Sequence, residues 1–319
     1  MSFSAPVHAE ISFSSGWQSL LRFLHLDIKK EVNSYVTPPE RQCTDQNVGR
    51  AIANTPPPEP PTMPEEPILT GAASDDGASS MREKIMENYT KLGGDPIALE
   101  QSLCFFDKNK GVKFKAAGDP SRSGGISIDN QRYITINDLN VTMSKSRMFV
   151  IDMETGKVNT YFSAHGYGGK KGVPESDMMA EGVSNVDGSN ASPRGFFITG
   201  TRREGSSDPR WKFSMKLHGL QQGVNDKSFS RAIIMHPFPK MPEESASSDD
   251  PNVSGAIRSE GPFSLSQGCT MLSENYASDI INKIKTPSNS KGGSLYYNYS
   301  AEEKSRGASY CGDEGLMKK

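Results

Sequence analysis

Between residues 132 and 299 the chain is a succession of short apolar or alternating runs, each closed by turn residues, and few folds accommodate that pattern. Residues 132–136 alternate, 147–153 read as a core strand, and 157–164 alternate again. The Glu154-Thr155-Gly156-Lys157 turn joins the last two as a hairpin. Further strands are expected over 195–201, 213–217, 232–236 and 292–299. Helical spacing predicts 81–92, a second helix over 96–107 with Leu99, Leu103 and Phe106 on one face, and a third over 274–285. That third helix turns Tyr276, Ile280, Ile281 and Ile284 inward. Many strands, long loops and few helices predict a mainly β, α+β domain: a mixed β-sandwich or closed β-structure.

The chain ahead of this region is different. Nine of the 21 prolines in the whole sequence fall between Pro38 and Pro67, followed by GAASDDGASS. Proline fixes φ and removes a ladder donor, so residues 37–80 are expected as an extended, semi-stiff linker. Before it, Trp17, Leu20, Leu21, Leu24, Ile28 and Val32 follow helical spacing, with Ser14 or Ser15 to cap them. The expected organisation is a segment 1–36 with one amphipathic helix, the linker 37–80, a main domain 81–300, and a flexible polar tail 301–319. Val7-His8-Ala9 before Glu10 resembles a signal-peptidase site without its apolar stretch, as a clipped or incomplete export signal would leave. No run approaches eighteen apolar residues, so no transmembrane helix is expected.

Charge excludes some partners. With 36 basic against 38 acidic residues, no basic excess points to nucleic acid. The four cysteines, at 43, 104, 269 and 311, show no CxxC spacing, and neither HExxH nor HxH occurs, so no metal site is expected. Spacing leaves open whether Cys104 pairs with Cys311.

The chemistry-bearing residues converge on 231–272. A mostly apolar run delivers His236 at its end, and a Ser266-Gln267-Gly268 turn presents Cys269. Imidazole can take a thiol proton and the thiolate can attack a carbonyl. Gly268 allows close backbone approach and the Cys269 amide can help hold an oxyanion, with Ser266 either orienting the turn or donating towards the oxyanion. A satisfied core histidine and an inert buried cysteine are the structural alternative. Of the other histidines, His8 and His25 read as bystanders, whereas His165 and His218 each precede a glycine at a run end, a position suited either to ligand contact or to a hydrogen bond within a turn.

Ile233-Ile234-Met235-His236, Arg258-Ser259 and Ser266-Gln267-Gly268-Cys269 together resemble the catalytic stretch of the L,D-transpeptidases of the YkuD type, murein catalytic-domain subfamily. Leu217-His218-Gly219, Asn225, Ser192-Pro193-Arg194-Gly195, Ala164-His165-Gly166 and the run from Met148 to Asp152 extend the resemblance over roughly 130–300. The common family form has His where this chain has Gln267, so that histidine's supporting role is absent. The resemblance implies an L,D-transpeptidase-like β-sandwich or barrel in which Cys269 is the nucleophile and His236 the base. It further implies stem-peptide binding by Arg258, Ser259, His218, His165, Asn225 and Arg231, no cofactor, peptidoglycan as partner, and export to the periplasm or cell envelope. The base's orienting partner is not identifiable from sequence; in relatives it is often a backbone carbonyl. Two other readings remain open: a different cysteine hydrolase, such as a carboxypeptidase, amidase or protease, and a catalytically silent wall-binding module. The acidic, serine-rich stretch 237–257 reads either as a solvated loop or as a flap.

Overall fold

The computed structural model describes residues 75–168, 180, 182–203, 213–261 and 263–319, with side chains from residue 80 onward. The expected N-terminal helix, most of the linker, His8, His25 and Cys43 lie outside the described residues. All described residues belong to one compact unit, Arg41–Lys319.

Two helices lead: α1, Asp75–Lys91, and α2, Pro96–Asn109. The first begins six residues before the expected start, inside the stretch read as linker. Asp95 caps α2 by accepting from the Ile97 amide (3.0 Å), and Pro96 sits where a missing N–H costs nothing. Nine strands follow: β1 Tyr133–Asp138, β2 Met148–Asp152, β3 Val158–Tyr161, β4 Gly195–Arg202, β5 Met215–Gly219, β6 Ile234–Pro237, β7 Ser245–Ser247, β8 Thr270–Leu272 and β9 Leu295–Tyr299. Helix α3, Glu274–Ile284, lies between β8 and β9, and α4, Ala301–Ser305, follows β9. The strands form one mixed sheet in the order β7-β3-β2-β1-β9-β4-β5-β6-β8. Only β1–β9 and β6–β8 are parallel pairs.

Alternation along these strands builds two apolar layers, one on each face of the sheet. One face sets Ile134, Ile136, Phe149, Ile151, Phe196 and Ile198 against Ile85, Tyr89, Leu99 and Phe106 of α1 and α2. The other sets Met148, Val150, Phe197, Met215 and Leu217 against Tyr276, Ile280, Ile281 and Ile284 of α3. The sheet also curls towards closure. Beyond β3 the chain bridges to the far edge, Ala164 to Met271 and Gly166 to Ser266. This curl, which brings 164–167 to the cysteine turn, positions the site.

The segment 237–257 is neither a free loop nor a simple flap. Its middle is β7, paired with β3, and the Tyr276 hydroxyl donates to the Pro242 carbonyl at 2.7 Å. The Lys91 ammonium donates to the Ser248 and Asp250 carbonyls at 3.1 and 2.8 Å.

Residues 301–319, expected as a flexible tail, are docked instead. Buried Glu303 accepts from Ser300 Oγ at 2.5 Å and pairs with Arg194 at 2.5 Å. Cys311 forms a disulfide with Cys104 across 207 residues of sequence. The Met317 and Lys319 amides bond to the carbonyls of Leu220 and Lys113. Polar composition conceals this because the stabilising groups are an ion pair, a cross-link and backbone, none of which has a hydrophobic period. A loop this long gives a large unfolded-state entropy effect, so Cys104→Ala with Cys311→Ala should lower stability by about 3–5 kcal/mol in non-reducing buffer. Denaturant unfolding measures it, and a loss below about 1 kcal/mol would show that the tail docks without the cross-link.

Candidate active site

The turn 266–269 is fixed by its own serine and by two glycines in contact. Ser266 Oγ donates to the Cys269 carbonyl (2.7 Å) and accepts from the Gly268 amide (3.1 Å). Gly268 has φ +113°, and a Cβ there would sit 2.9 Å from both the Ala191 oxygen and Ile233 Cδ1. A Cβ on Gly166 would sit 2.2 Å from the Asn190 oxygen and 2.8 Å from the Gly268 nitrogen. Both positions therefore demand glycine. Ser192 Oγ accepts from the Gly166 amide (2.9 Å) and donates to the Gly268 carbonyl (3.1 Å), tying the two together. The Ser266 amide completes the anchorage by donating to the His165 carbonyl at 2.9 Å.

Strand register relates Cys269 to His236. Met235 pairs with Thr270 and His236 with Met271, so paired residues share a face. Cys269, one residue before Thr270, therefore lies on the face of Met271 and His236, as a diagonal neighbour of the histidine on the adjoining strand. Diagonal neighbours in a sheet are within reach of a long or aromatic side chain. Cys269 Sγ is buried, 3.8 Å from the Ala232 carbonyl oxygen. Cys269 is disulfide-bonded in this structure, so thiolate chemistry belongs to the reduced protein. His236 is also buried, with Nδ1 2.9 Å from the Pro237 carbonyl oxygen. A carbonyl only accepts, so that contact puts the ring proton on Nδ1 and leaves Nε2 as the basic nitrogen of the neutral ring.

His165 has the opposite arrangement. Its Nδ1 is 2.7 Å from Nη2 of Arg147, a fully buried guanidinium that can only donate. Nδ1 is therefore the acceptor and the neutral ring carries its proton on Nε2. Arg147 also donates to the Val141 carbonyl (2.7 Å) and the Ser163 carbonyl (3.1 Å). From Ser163 Oγ a buried chain of hydrogen bonds runs through Asn137 Oδ1, Asn298 Oδ1 and the Tyr296 hydroxyl to Thr270 Oγ1, beside the cysteine. Such networks rigidify what they touch when their members are satisfied. None of Arg147, Asn137, Asn298, Tyr296 or Thr270 stood out as a site residue in the sequence. The one signal available was a cation heading the apolar run from Met148 to Asp152.

The remaining expected residues fall into distinct places. Arg231 lies close to Gly268, and its guanidinium donates to the Ser184 and Ala191 carbonyls at 2.6 and 2.8 Å. Burial lowers its pKa, an effect opposed by Asp187. Asn225 is fully buried, accepts from the Gln221 amide, and donates to the Arg194 and Phe196 carbonyls. It holds the β4–β5 corner. Arg258 is exposed and bridges to Lys145, with the Ser259 amide donating to the Ser144 carbonyl at 3.1 Å. That bridge lies along 144–146, ahead of β2. Gln267 Oε1 is buried and has no hydrogen-bond partner. His218 lies on β5, buried and stacked on Phe229 with ring centroids 5.5 Å apart. Desolvation, then the Arg122 charge, pulls its pKa down to about 4, so it is neutral near pH 7. Among the described residues no three of His, Cys, Asp and Glu are grouped to hold a metal, and no helix is long and apolar enough to cross a membrane.

This chain belongs to the L,D-transpeptidase catalytic-domain family: the YkuD_2 family model matches residues 125–290, over half of its length. The matched span contains the cysteine turn, the His236 strand and every strand of the curled sheet except β9. Crystal structures of the helical cell shape determining protein Pgp2 from Campylobacter jejuni are similar at low identity. One is 13% identical over 62% of this chain and 54% of that chain, with a TM-score of 0.30. A lysine-to-alanine mutant of Pgp2 gives 14% identity, 63% and 55% coverage, and the same TM-score of 0.30. The chain spans about half the length of these relatives. No curated protein matches it.

Proposed function

We propose that this protein is a peptidoglycan-modifying cysteine acyltransferase of the cell envelope. The Cys269 thiolate attacks the meso-diaminopimelate carbonyl of a tetrapeptide stem, and the carbon–nitrogen bond to the terminal D-residue breaks as the thioester forms. An amine from a neighbouring stem, or water, then takes the acyl group and frees the thiolate. His236 Nε2 accepts the thiol proton and delivers it to the departing amine. The single observation that carries this reading is the β6–β8 register, which gives His236 and Cys269 a common face. The Pro237 carbonyl supports it by orienting the imidazole with Nε2 as the base. Gly268 supports it too, since only glycine fits the close packing against Ala191 and Ile233 that holds the cysteine turn in place.

The test is mass spectrometry of products formed by the reduced full chain from purified tetrapeptide stems. Loss of the terminal D-residue is expected, with tripeptide products if water is the acceptor and cross-linked products if an amine is. The reaction is run in reductant so that the Cys269 thiol is free. Intact stems after incubation with folded, reduced protein would defeat the proposal.

A further inference from the structure

Beside the cysteine face lies a buried, largely cationic cluster that the proposed chemistry leaves unused. Arg122 ends a single 3-10 turn, Pro120–Arg122, and is 8% exposed. Its Nε pairs with Asp119 at 3.3 Å, while its Nη1 is buried with no hydrogen-bond partner. His218 is 2% exposed, and its Nδ1 is likewise buried without a partner. Geometry brings the two together through Phe229: the ring that stacks on His218 also meets the turn carrying Arg122, where a Cβ on Gly118 would sit 3.5 Å from Phe229 Cδ1, and after burial the Arg122 charge is the largest influence on the His218 ring. Lys216 Nζ lies over Phe229 at 4.8 Å, the same ring that stacks on His218. Among the described residues Asp119 is the carboxylate acting on His218, and its Oδ1 also accepts from the Ser121 amide and hydroxyl.

Arg122 Nη1 can only donate, so burying it without an acceptor forfeits a hydrogen bond made in water, and His218 Nδ1 is a second buried nitrogen with no partner, able to present its proton to the same acceptor. One unpartnered nitrogen could be tolerated, but two in one electrostatically coupled cluster mark the place of a missing acceptor. The surrounding charges set its sign. Arg122 and Lys216 face the histidine against a single aspartate, so the acceptor is an anion, and a planar carboxylate matches the guanidinium fork.

The place fits the chemistry next door. Met215 pairs with Met235 and Lys216 with Ile234, and continuing that register sets His218 opposite Ala232. Ala232 supplies the carbonyl oxygen 3.8 Å from Cys269 Sγ. His218 is on β5 and Cys269 precedes β8, so two strand spacings, roughly 10 Å, separate them. We propose that Arg122 and His218 form a carboxylate-binding subsite that seats a free carboxylate of the stem peptide while Cys269 meets its scissile carbonyl. The naming of the stem peptide rests on the proposed function; the anion site does not.

Calorimetry on the full chain carrying Cys269→Ala, which cannot turn over, provides the test. The probes are a synthetic tetrapeptide stem with free carboxylates and its fully amidated counterpart. The acid should bind about 10–100-fold tighter than the amide, the range expected for a charge-assisted hydrogen bond. Arg122→Gln should abolish that preference while leaving amide binding unchanged. Equal binding of the two probes, or a preference that survives in folded Arg122→Gln, would overturn the subsite. Should Arg122→Gln fail to fold, imidazole NMR on protein with Arg122 intact decides. The acid probe alone should raise the His218 pKa from about 4, because a facing anion favours the imidazolium. An unmoved resonance overturns the proposal. The proposed function fails separately, through absence of stem turnover by the reduced wild-type chain while the acid preference persists.

Discussion

Cys269→Ala is expected to abolish acyl-enzyme formation and stem turnover completely while leaving the fold in place. The side chain is buried at the head of β8, where the backbone is held independently of the sulfur by Ser266, Ser192 and the Gly166–Gly268 contact. Replacing the thiol by hydrogen removes a small volume, well short of the large-to-small core changes that cost about 2–5 kcal/mol. A nucleophile has no substitute, whereas the turn that carries it does not need the sulfur. The measurement pairs product mass spectrometry with denaturant unfolding, both under reducing conditions so that the disulfide state of Cys269 is not itself compared. Substantial turnover by well-folded Cys269→Ala would remove the cysteine from the chemistry and reopen the wall-binding reading.

What the sequence disclosed, and what it withheld, follows from how local each determinant is. Every strand whose alternation spans four or more residues was visible, including β9 in the run GGSLYYNY. Its neighbours were not. It reads as a closing strand but lies in the middle of the sheet, parallel to β1 and antiparallel to β4, because periodicity fixes a strand's faces and not its partners. The three-residue strands β7 and β8 are too short to show a period. Yet β8 is the strand that puts Cys269 and His236 on one face. The two residues proposed to react are distinguished in the sequence by type and order, while the geometry relating them depends on a pairing visible only in three dimensions.

The supporting residues were hidden for another reason. Arg147 and Arg122 are ordinary cations in the sequence, and burial is what makes them informative. Arg231 and Asn225 are expected to meet substrate from the resemblance; in the structure their polar atoms hold backbone carbonyls at the loop 184–191 and at the β4–β5 corner. Arginine suits carboxylate recognition and carbonyl clamping alike, so composition does not separate the two uses.

His236→Ala is expected to slow thioester formation by roughly 10²–10⁴-fold, the usual contribution of a positioned general base. His165→Ala and His218→Ala should acylate at elevated stem concentration. The distinction lies in which ring nitrogen is basic. In His236 the Nδ1–H donates to the Pro237 carbonyl, so Nε2 is the nitrogen left to accept from the thiol. In His165 the Arg147 guanidinium occupies Nδ1 as donor, so the neutral ring already carries hydrogen on Nε2 and offers no basic nitrogen there. Protonating it at Nδ1 would set two donors face to face. His218 is neutral near pH 7 and lies two strands from the cysteine, in reach of a substrate carboxylate and not of the thiol. Loss of His218 should therefore appear in substrate saturation, while loss of His236 appears in the maximal acylation rate. Time-resolved mass detection of the acyl-enzyme in the three reduced variants separates these effects. Rapid acylation by His236→Ala, with failure of His165→Ala at saturating stem, would transfer the base to His165 and require its tautomer to be the reverse of the one that Arg147 imposes.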